Sequence, residues 1–283
     1  MTSVTNALLS ELQILAREFN KLGIEPIIGG GMGLYLRQTM INLPETGRYD
    51  IVPPLRPTQD IDTFITGDVI VDGQKWSDIR SMLDSNGWTP DDAFLYGHFL
   101  KNVEGTDQTI KLDLLSSIPN QAELVRVKGP RIKPSDSSAK MHARVAVEAA
   151  GIELNAITLL LDNGSTIRIP SSFNFLILKL HAFRDSIDEE RKQFGKHHAL
   201  DIFRTTLMMR PEDWDAASEH LGDHSNEEYV VEAKRVCGAF FGDATEMGVI
   251  RIKENERYQT QRAEYDAYIE PFLEDLSDLF ELD

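Results

Sequence analysis

The sequence of 283 residues predicts a mixed α/β domain over residues 1–170, followed by an all-helical domain over residues 171–283. In the first part, short apolar segments of strand character alternate with helical segments. From Ser171 onward, apolar residues recur almost continuously at helical spacing. Because Pro170 lies where one pattern replaces the other, the boundary is expected there.

Turn residues delimit the predicted elements of both domains. Gly23 ends the first helix, four prolines between Asn42 and Pro57 predict a loop, and Asn163-Gly164 is a strong hairpin signal. The first domain is predicted to contain helices over 4–22, 32–40 and 76–86, and strands ending at residue 28 and over 60–66, 93–102, 109–116, 152–161 and 165–169. The second is predicted to contain helices over 171–188, 194–209, 211–221, 226–241 and 255–282.

Composition excludes several classes of protein. With 41% apolar and 27% charged residues, the sequence is typical of a globular protein, and no apolar run approaches the ~20 residues that span a bilayer. The first residues lack the basic start of a signal peptide, so a cytoplasmic location is expected. Cys237 is the single cysteine, which excludes an internal disulfide and a cysteine-rich zinc site.

Charge is distributed unevenly along the chain. The net charge of −17 argues against non-specific coating of nucleic acid. Residues 254–283 carry ten acidic and two basic residues, whereas residues 126–144 carry six basic residues and one acidic residue. The basic segment is interpreted either as a surface for a polyanion or as a solvated loop.

Two aspartates follow a glycine turn at the start of the first domain. Asp60 and Asp62 are two apart on a predicted strand and therefore point to the same side of it. Mg²⁺ binds such carboxylates together with substrate phosphates. Gly29 and Gly30 allow backbone amides to approach an anion at the start of a helix. The pattern predicts a site for a nucleoside triphosphate and Mg²⁺.

Further candidate residues lie on other predicted elements. Asp113 stands among apolar residues on a strand and is expected to be paired or metal-bound, or else to form a turn at the strand end. Lys179 lies on an apolar helix face and needs a polar partner there. In the segment KHHALDIF, which begins at Lys196, the histidines share a helix face with Asp201; a zinc site there is only weakly indicated.

These motifs resemble those of a known superfamily. The glycine turn and helix followed by Arg56-x-Thr58-x-Asp60-Ile-Asp62 resemble the nucleotidyltransferases related to DNA polymerase β. The helical segments FLILKLHAFRD and KHHALDIFRTTL resemble, more narrowly, the AbiEii branch, the toxins of type IV toxin–antitoxin pairs. Two features depart from the family pattern: about thirty residues separate Gly30 from Asp60, and His198 stands where many relatives carry an aspartate.

The resemblance implies a nucleotidyltransferase fold and a role for each matching residue. Asp60, Asp62 and Asp113 would be the catalytic carboxylates and hold Mg²⁺. The residues implied to contact the nucleotide are Gly29, Gly30, Arg56, Lys179, Lys196 and Asp201. The implied reaction transfers a nucleoside monophosphate from an NTP, with ATP among the candidates, to a hydroxyl of an acceptor, which in the toxin branch is the 3′ end of tRNA and in other relatives a protein or an antibiotic. An antitoxin protein would be the partner.

Three other interpretations remain open at this point. The chain is a non-catalytic nucleotide-binding or regulatory protein that kept the fold, a glycosyltransferase that uses Asp60 and Asp62 on a sugar nucleotide, or an α/β protein in which the aspartate pair occurs by chance. Transfer of labelled nucleotide distinguishes the enzyme from the binding protein.

Overall fold

The computed structural model describes residues 3–41, 49, 51–55, 58–91, 97–103 and 108–282. The chain divides into two compact units. The first comprises residues 1–37 and 56–170, and the second comprises residues 38–55 and 171–283. One division between the units falls after Pro170, and residues 38–55 group with the second unit.

A mixed sheet forms the centre of the first unit, and this confirms the predicted fold class. The helices wholly within this unit are α1 (Ser3–Lys21), α3 (Gly67–Ile70) and α4 (Gly73–Ser85), while α2 (Gly30–Met40) crosses the break between the units. The strands are β1 (Ile27–Ile28), β2 (Asp60–Phe64), β3 (Thr89–Pro90), β4 (His98–Asn102), β5 (Thr109–Ser116), β6 (Val125–Lys128), β7 (Arg131–Pro134), β8 (Ala143–Val145), β9 (Ile157–Leu160) and β10 (Thr166–Ile169).

The sheet combines parallel and antiparallel pairs. Among the described residues, its strand order is β6-β7-β8-β5-β2-β1-β10-β9, with β4 beside β5 and β3 beside β4. The pairs β2–β5, β5–β8 and β1–β10 are parallel, and the remaining pairs are antiparallel. Strand β5 therefore has β2 along one edge and β4 followed by β8 along the other. This position brings residues that are far apart in the sequence onto neighbouring strands.

One face of the central strands β2 and β5 is buried. Ile61, Leu112 and Leu114 have no exposed surface, and Thr63 has only 1%. Since side chains alternate along a strand, the residues between them point to the other face, where the polar groups lie. The burial of apolar side chains thus fixes which face of the sheet carries the candidate site.

The second unit is helical, as predicted. Its helices are α5 (Ser172–Arg184), α6 (Lys196–Leu207), α7 (Pro211–His224), α8 (Glu228–Phe241), α9 (Met247–Lys253), α10 (Glu256–Gln259), α11 (Arg262–Asp266) and α12 (Ile269–Phe280). Ser171 caps α5 by accepting a hydrogen bond from the backbone N–H of Asn174 at 3.2 Å, which is why the helix starts directly after Pro170. Residues 38–55 join this unit through the hydroxyl of Tyr49, which donates to Asp275 at 2.7 Å.

Three expectations about secondary structure were wrong. The predicted helix over 255–282 is three helices, because a continuous helix would place the ring of Pro271 against the carbonyl of Ala267; the chain instead ends α11 at Asp266 and puts Pro271 in the first turn of α12. Helix α9 was not predicted. The interpretation of residues 126–144 as a solvated loop was wrong in part, since β6, β7 and β8 lie in or overlap this segment, while the residues between β7 and β8 are irregular.

Candidate functional site

Strand β2 presents both aspartates of the glycine–aspartate motif on one face. Asp60 is exposed and Asp62 is half-buried, whereas Ile61 and Thr63 between and beyond them are buried. This is the arrangement predicted from the alternation of side chains along a strand. The two carboxylates therefore lie on the accessible face of the sheet.

The parallel neighbour of β2 adds a third carboxylate. In the register of the β2–β5 pair, Asp62 is opposite Asp113 and Asp60 is opposite Lys111. Residues opposite one another on adjacent strands share a face and lie about 5 Å apart. Asp60, Asp62 and Asp113 are thus brought together, although Asp113 follows Asp62 by fifty-one positions.

Asp113 has two cationic or polar partners. Nδ1 of His98 lies 2.5 Å from its Oδ1, and Nζ of Lys111 lies 2.8 Å from its Oδ2. Burial by itself raises the pKa of the Asp113 carboxyl, but the hydrogen bonds from His98 and Lys111 outweigh it and hold the pKa below its usual value. Asp113 is therefore an ionised carboxylate.

Lys111 lies among all three carboxylates. Burial lowers the pKa of its ammonium group, but the hydrogen bond to Asp113 and the charges of Asp113, Asp60 and Asp62 outweigh burial and raise it. Lys111 therefore stays protonated and offsets part of the negative charge of the group. His98 was not identified from the sequence; its position on β4 opposite Asp113 depends on the pairing of β4 with β5.

The glycine turn lies directly against the second aspartate. The backbone N–H of Gly29 donates to the carbonyl of Asp62 at 2.9 Å. Gly30 has a φ of +57°, and a β-carbon at this residue would overlap the carboxylate of Asp62. Only glycine satisfies both conditions, since L side chains are strained at this φ. Helix α2 begins at Gly30, so its N-terminal amides start beside Asp62.

The donor set fits Mg²⁺. Asp60, Asp62 and Asp113 offer only carboxylate oxygens, the ligands that Mg²⁺ prefers, and they lie on one face of the sheet. The missing β-carbon of Gly30 leaves space for the Asp62 carboxylate. Across the part of the chain that the structure describes, no three His, Cys, Asp or Glu side chains converge closely enough to form a complete metal site. An ion held by two carboxylates and substrate phosphates does not require such a set.

The candidates Lys179 and Asp201 pair with each other inside the second unit. Nζ of Lys179 lies 2.9 Å from Oδ2 of Asp201, and their side chains are only 6% and 3% exposed. The guanidinium of Arg204 binds the other oxygen of Asp201 and also donates to the carbonyls of Pro53 and Pro54. The polar partner expected for Lys179 is therefore Asp201, in a buried cluster of two cations and one carboxylate.

Lys196 lies at the start of α6 and has a different partner. Its ammonium pairs with Glu254 at 3.2 Å, beside a cavity of about 340 Å³ that His197 also lines. None of the described histidines joins a group that could hold zinc. The last candidate, Arg56, lies outside the described residues.

Comparison with known proteins gives weak structural similarities. No protein-family model and no curated protein matches the chain. One similar solved structure is an antigenic nucleotidyltransferase-like protein from Paracoccidioides brasiliensis, with 13% identity, a TM-score of 0.43 and coverage of 81% of this chain and 93% of that one. Another is the antibiotic-resistance factor ANT(2'')-Ia, with 10% identity, a TM-score of 0.36 and coverage of 80% and 100%. Similarities at this level do not identify a function.

No helix among the described residues has both the length and the apolar character needed to cross a membrane.

Proposed function

We propose that this protein is a Mg²⁺-dependent nucleotidyltransferase that moves a nucleoside monophosphate from an NTP to an acceptor hydroxyl. The observation that carries the proposal is the shared face of Asp60, Asp62 and Asp113, with Gly30 held against Asp62. Carboxylates and an N-terminal helix turn in this arrangement combine a cation site with an anion site. A nucleoside triphosphate with Mg²⁺ supplies both partners.

Each residue of the site has a defined task in the proposed reaction. Asp60 and Asp62 would hold Mg²⁺, and the bound ion would offset negative charge on the triphosphate and on the leaving pyrophosphate. The first amides of α2, from Gly30 onward, face the phosphates. The acceptor oxygen attacks the α-phosphorus, the bond to the β-phosphate breaks, and the ionised Asp113 accepts the hydroxyl proton.

The finer assignments follow from the sequence resemblance. The acceptor is the 3′ end of a tRNA, with a protein as the alternative, and the chain is the toxin of a toxin–antitoxin pair. The resemblance also implies that Lys179, Lys196, Asp201 and Arg56 contact the nucleotide. The pairing of the buried Lys179 and Asp201 with each other does not itself support that contact.

The test uses each α-³²P-labelled NTP with Mg²⁺, total tRNA and a protein extract. Asp62→Asn is expected to lower incorporation at least 100-fold while the protein stays folded, since it removes a charge at the reacting phosphate. Asp162→Asn is the matched control, because Asp162 is exposed in the β9–β10 turn of the same unit. Full activity of Asp62→Asn would contradict the proposal.

One observation favours the alternative of a non-catalytic nucleotide-binding protein. Both oxygens of Asp113 are already bound, one to His98 and one to Lys111, so this carboxylate has less capacity to accept a proton. ATP binding measured by calorimetry, without label in any acceptor for either the wild type or Asp62→Asn, would support this alternative.

A further inference from the structure

The edge of the sheet formed by β6, β7 and β8 carries a set of basic side chains on one face. The register places Arg126 opposite Lys133, Lys128 opposite Arg131, and Arg131 opposite Arg144. Residues two apart on a strand also share a face. The register therefore puts five cationic residues on the same face of three neighbouring strands; we call this set the cationic face: Arg126, Lys128, Arg131, Lys133 and Arg144.

Among the described residues, the side chains of the cationic face have no carboxylate partner. The ammonium group of Lys133 donates to the carbonyl of Ser137 at 3.1 Å, and the other four side chains have no polar contact within the described ranges. Like charges directly opposite each other destabilise a sheet. The charges of this face also affect His142: burial lowers the pKa of its ring, and the positive charges of Lys133 and Arg131 lower that pKa further.

The cationic face and the carboxylates lie on the same side of the sheet. Strand β8 pairs with β5 in a register that puts Arg144 opposite Leu115. Leu115 points to the same side as Asp113, two residues before it. With strands about 5 Å apart and about 7 Å between every second residue, Arg144 starts roughly 8 Å from Asp113. The basic side chains then continue outward to the edge strand β6.

From this placement we infer that the cationic face binds the phosphate backbone of a nucleic acid. If the proposed function holds, the bound strand is also the acceptor, and its end reaches Asp60, Asp62 and Asp113 along the same side of the sheet. Three of the five residues are arginines, whose planar guanidinium groups match phosphate oxygens in pairs. The chain's net charge of −17 opposes the approach of nucleic acid. At 0.1 M salt, however, the Debye length is ~10 Å, so a phosphate at the surface interacts mainly with the basic side chains near it.

Binding can be measured without the reaction. Fluorescence polarisation with a 5′-labelled 20-nucleotide RNA, in EDTA and without NTP, is followed from 50 to 300 mM KCl. Five phosphate contacts predict that log K falls with log[salt] at a slope of about −3.5 for a single strand. The double variant Lys128→Gln/Arg131→Gln should bind about 10-fold more weakly and lower that slope by about 1.4.

A matched double variant removes the same charge elsewhere. Arg17 and Lys21 are exposed on α1 and pair with Glu18, so Arg17→Gln/Lys21→Gln should leave binding within twofold of the wild type. Equal losses in the two double variants would overturn the inference, because binding would then depend only on net charge. A polyglutamate of the same charge that competes as well as the RNA would overturn it too, since the surface would then favour an acidic protein segment.

The inference and the proposed function fail separately. The variant Asp62→Asn should bind RNA as the wild type does. RNA binding through the cationic face with no transfer to any acceptor would contradict the proposed function alone. Transfer to RNA with a KM for RNA that Lys128→Gln/Arg131→Gln leaves unchanged would contradict the inference alone.

Discussion

Gly30 lies so close to Asp62 that a β-carbon on residue 30 would overlap the Asp62 carboxylate. The same residue has a φ of +57°, so both the backbone conformation and the available space require glycine. The contact between Gly30 and Asp62 places the start of α2 beside β2, and the proposed reaction needs these two elements side by side.

The first prediction separates these two requirements at Gly30. Gly30→Ala should displace Asp62 and lower nucleotide transfer at least 10-fold. Gly23→Ala is the control, because Gly23 has a φ of +71° but no atom near its missing β-carbon. Both variants should lose about 1–2 kcal/mol of unfolding free energy from backbone strain, measured by urea denaturation. Loss of activity in both variants to the same extent would contradict a specific contact with Asp62.

The second prediction concerns the buried cluster around Asp201. Asp201→Asn leaves the cations of Lys179 and Arg204 buried without their carboxylate and should cost about 3–5 kcal/mol of unfolding free energy. Lys179→Met should cost less, because Asp201 keeps Arg204. The control Asp84→Asn breaks an exposed pair with Arg80 and should cost less than about 1 kcal/mol. Comparable midpoints of urea denaturation for Asp201→Asn and Asp84→Asn would contradict a stabilising role for the cluster.

The third prediction is acid sensitivity caused by His220. Burial, together with the charge of His224, lowers the pKa of His220 from 6.5 to about 4. As pH falls below 6.5, the unfolded chain binds this proton before the folded chain does, so the unfolding free energy should drop by about 2–3 kcal/mol between pH 6.5 and 4. About one pH unit above 6.5 the ring is neutral in both states, and this residue then contributes no further pH dependence.

Urea denaturation at several pH values tests the role of His220. The variant His220→Gln removes the titrating ring and should flatten the loss between pH 6.5 and 4, while lowering stability at pH 8 by removing the ring's contacts with Tyr229 and Phe173. An unchanged acid slope in the variant would show that other groups cause the loss.

The fourth prediction concerns the single thiol. Cys237 has no exposed surface, and burial raises the pKa of its thiol. Because only the thiolate reacts, a disulfide reagent at pH 8 should modify the native protein at least 100-fold more slowly than the protein in guanidinium, where one thiol per chain reacts. Rapid labelling of the native protein would show that α8 opens locally.

Local sequence signals predicted the elements that depend on neighbours along the chain. The alternation around Asp60 and Asp62 predicted their common face, Asn163-Gly164 predicted the β9–β10 hairpin, and the apolar surroundings of Lys179 predicted a polar partner. The strands β6 and β7 also have a local signal that was not recognised: Val-Arg-Val-Lys and Arg-Ile-Lys alternate across Gly129-Pro130, where Gly129 has a φ of +56°. Their basic composition obscured this alternation.

The sequence by itself determined that two carboxylates share a strand face beside a glycine turn, because side-chain direction follows from local backbone geometry. Only the tertiary structure decided that Asp113 lies opposite Asp62, that His98 and Lys111 bind it, and that five basic residues lie on the same side of the sheet. Likewise, Arg204 binds Asp201 and the carbonyls of a segment 150 residues earlier. Strand order and register depend on which apolar faces pack together over the whole chain, and no local pattern contains that information.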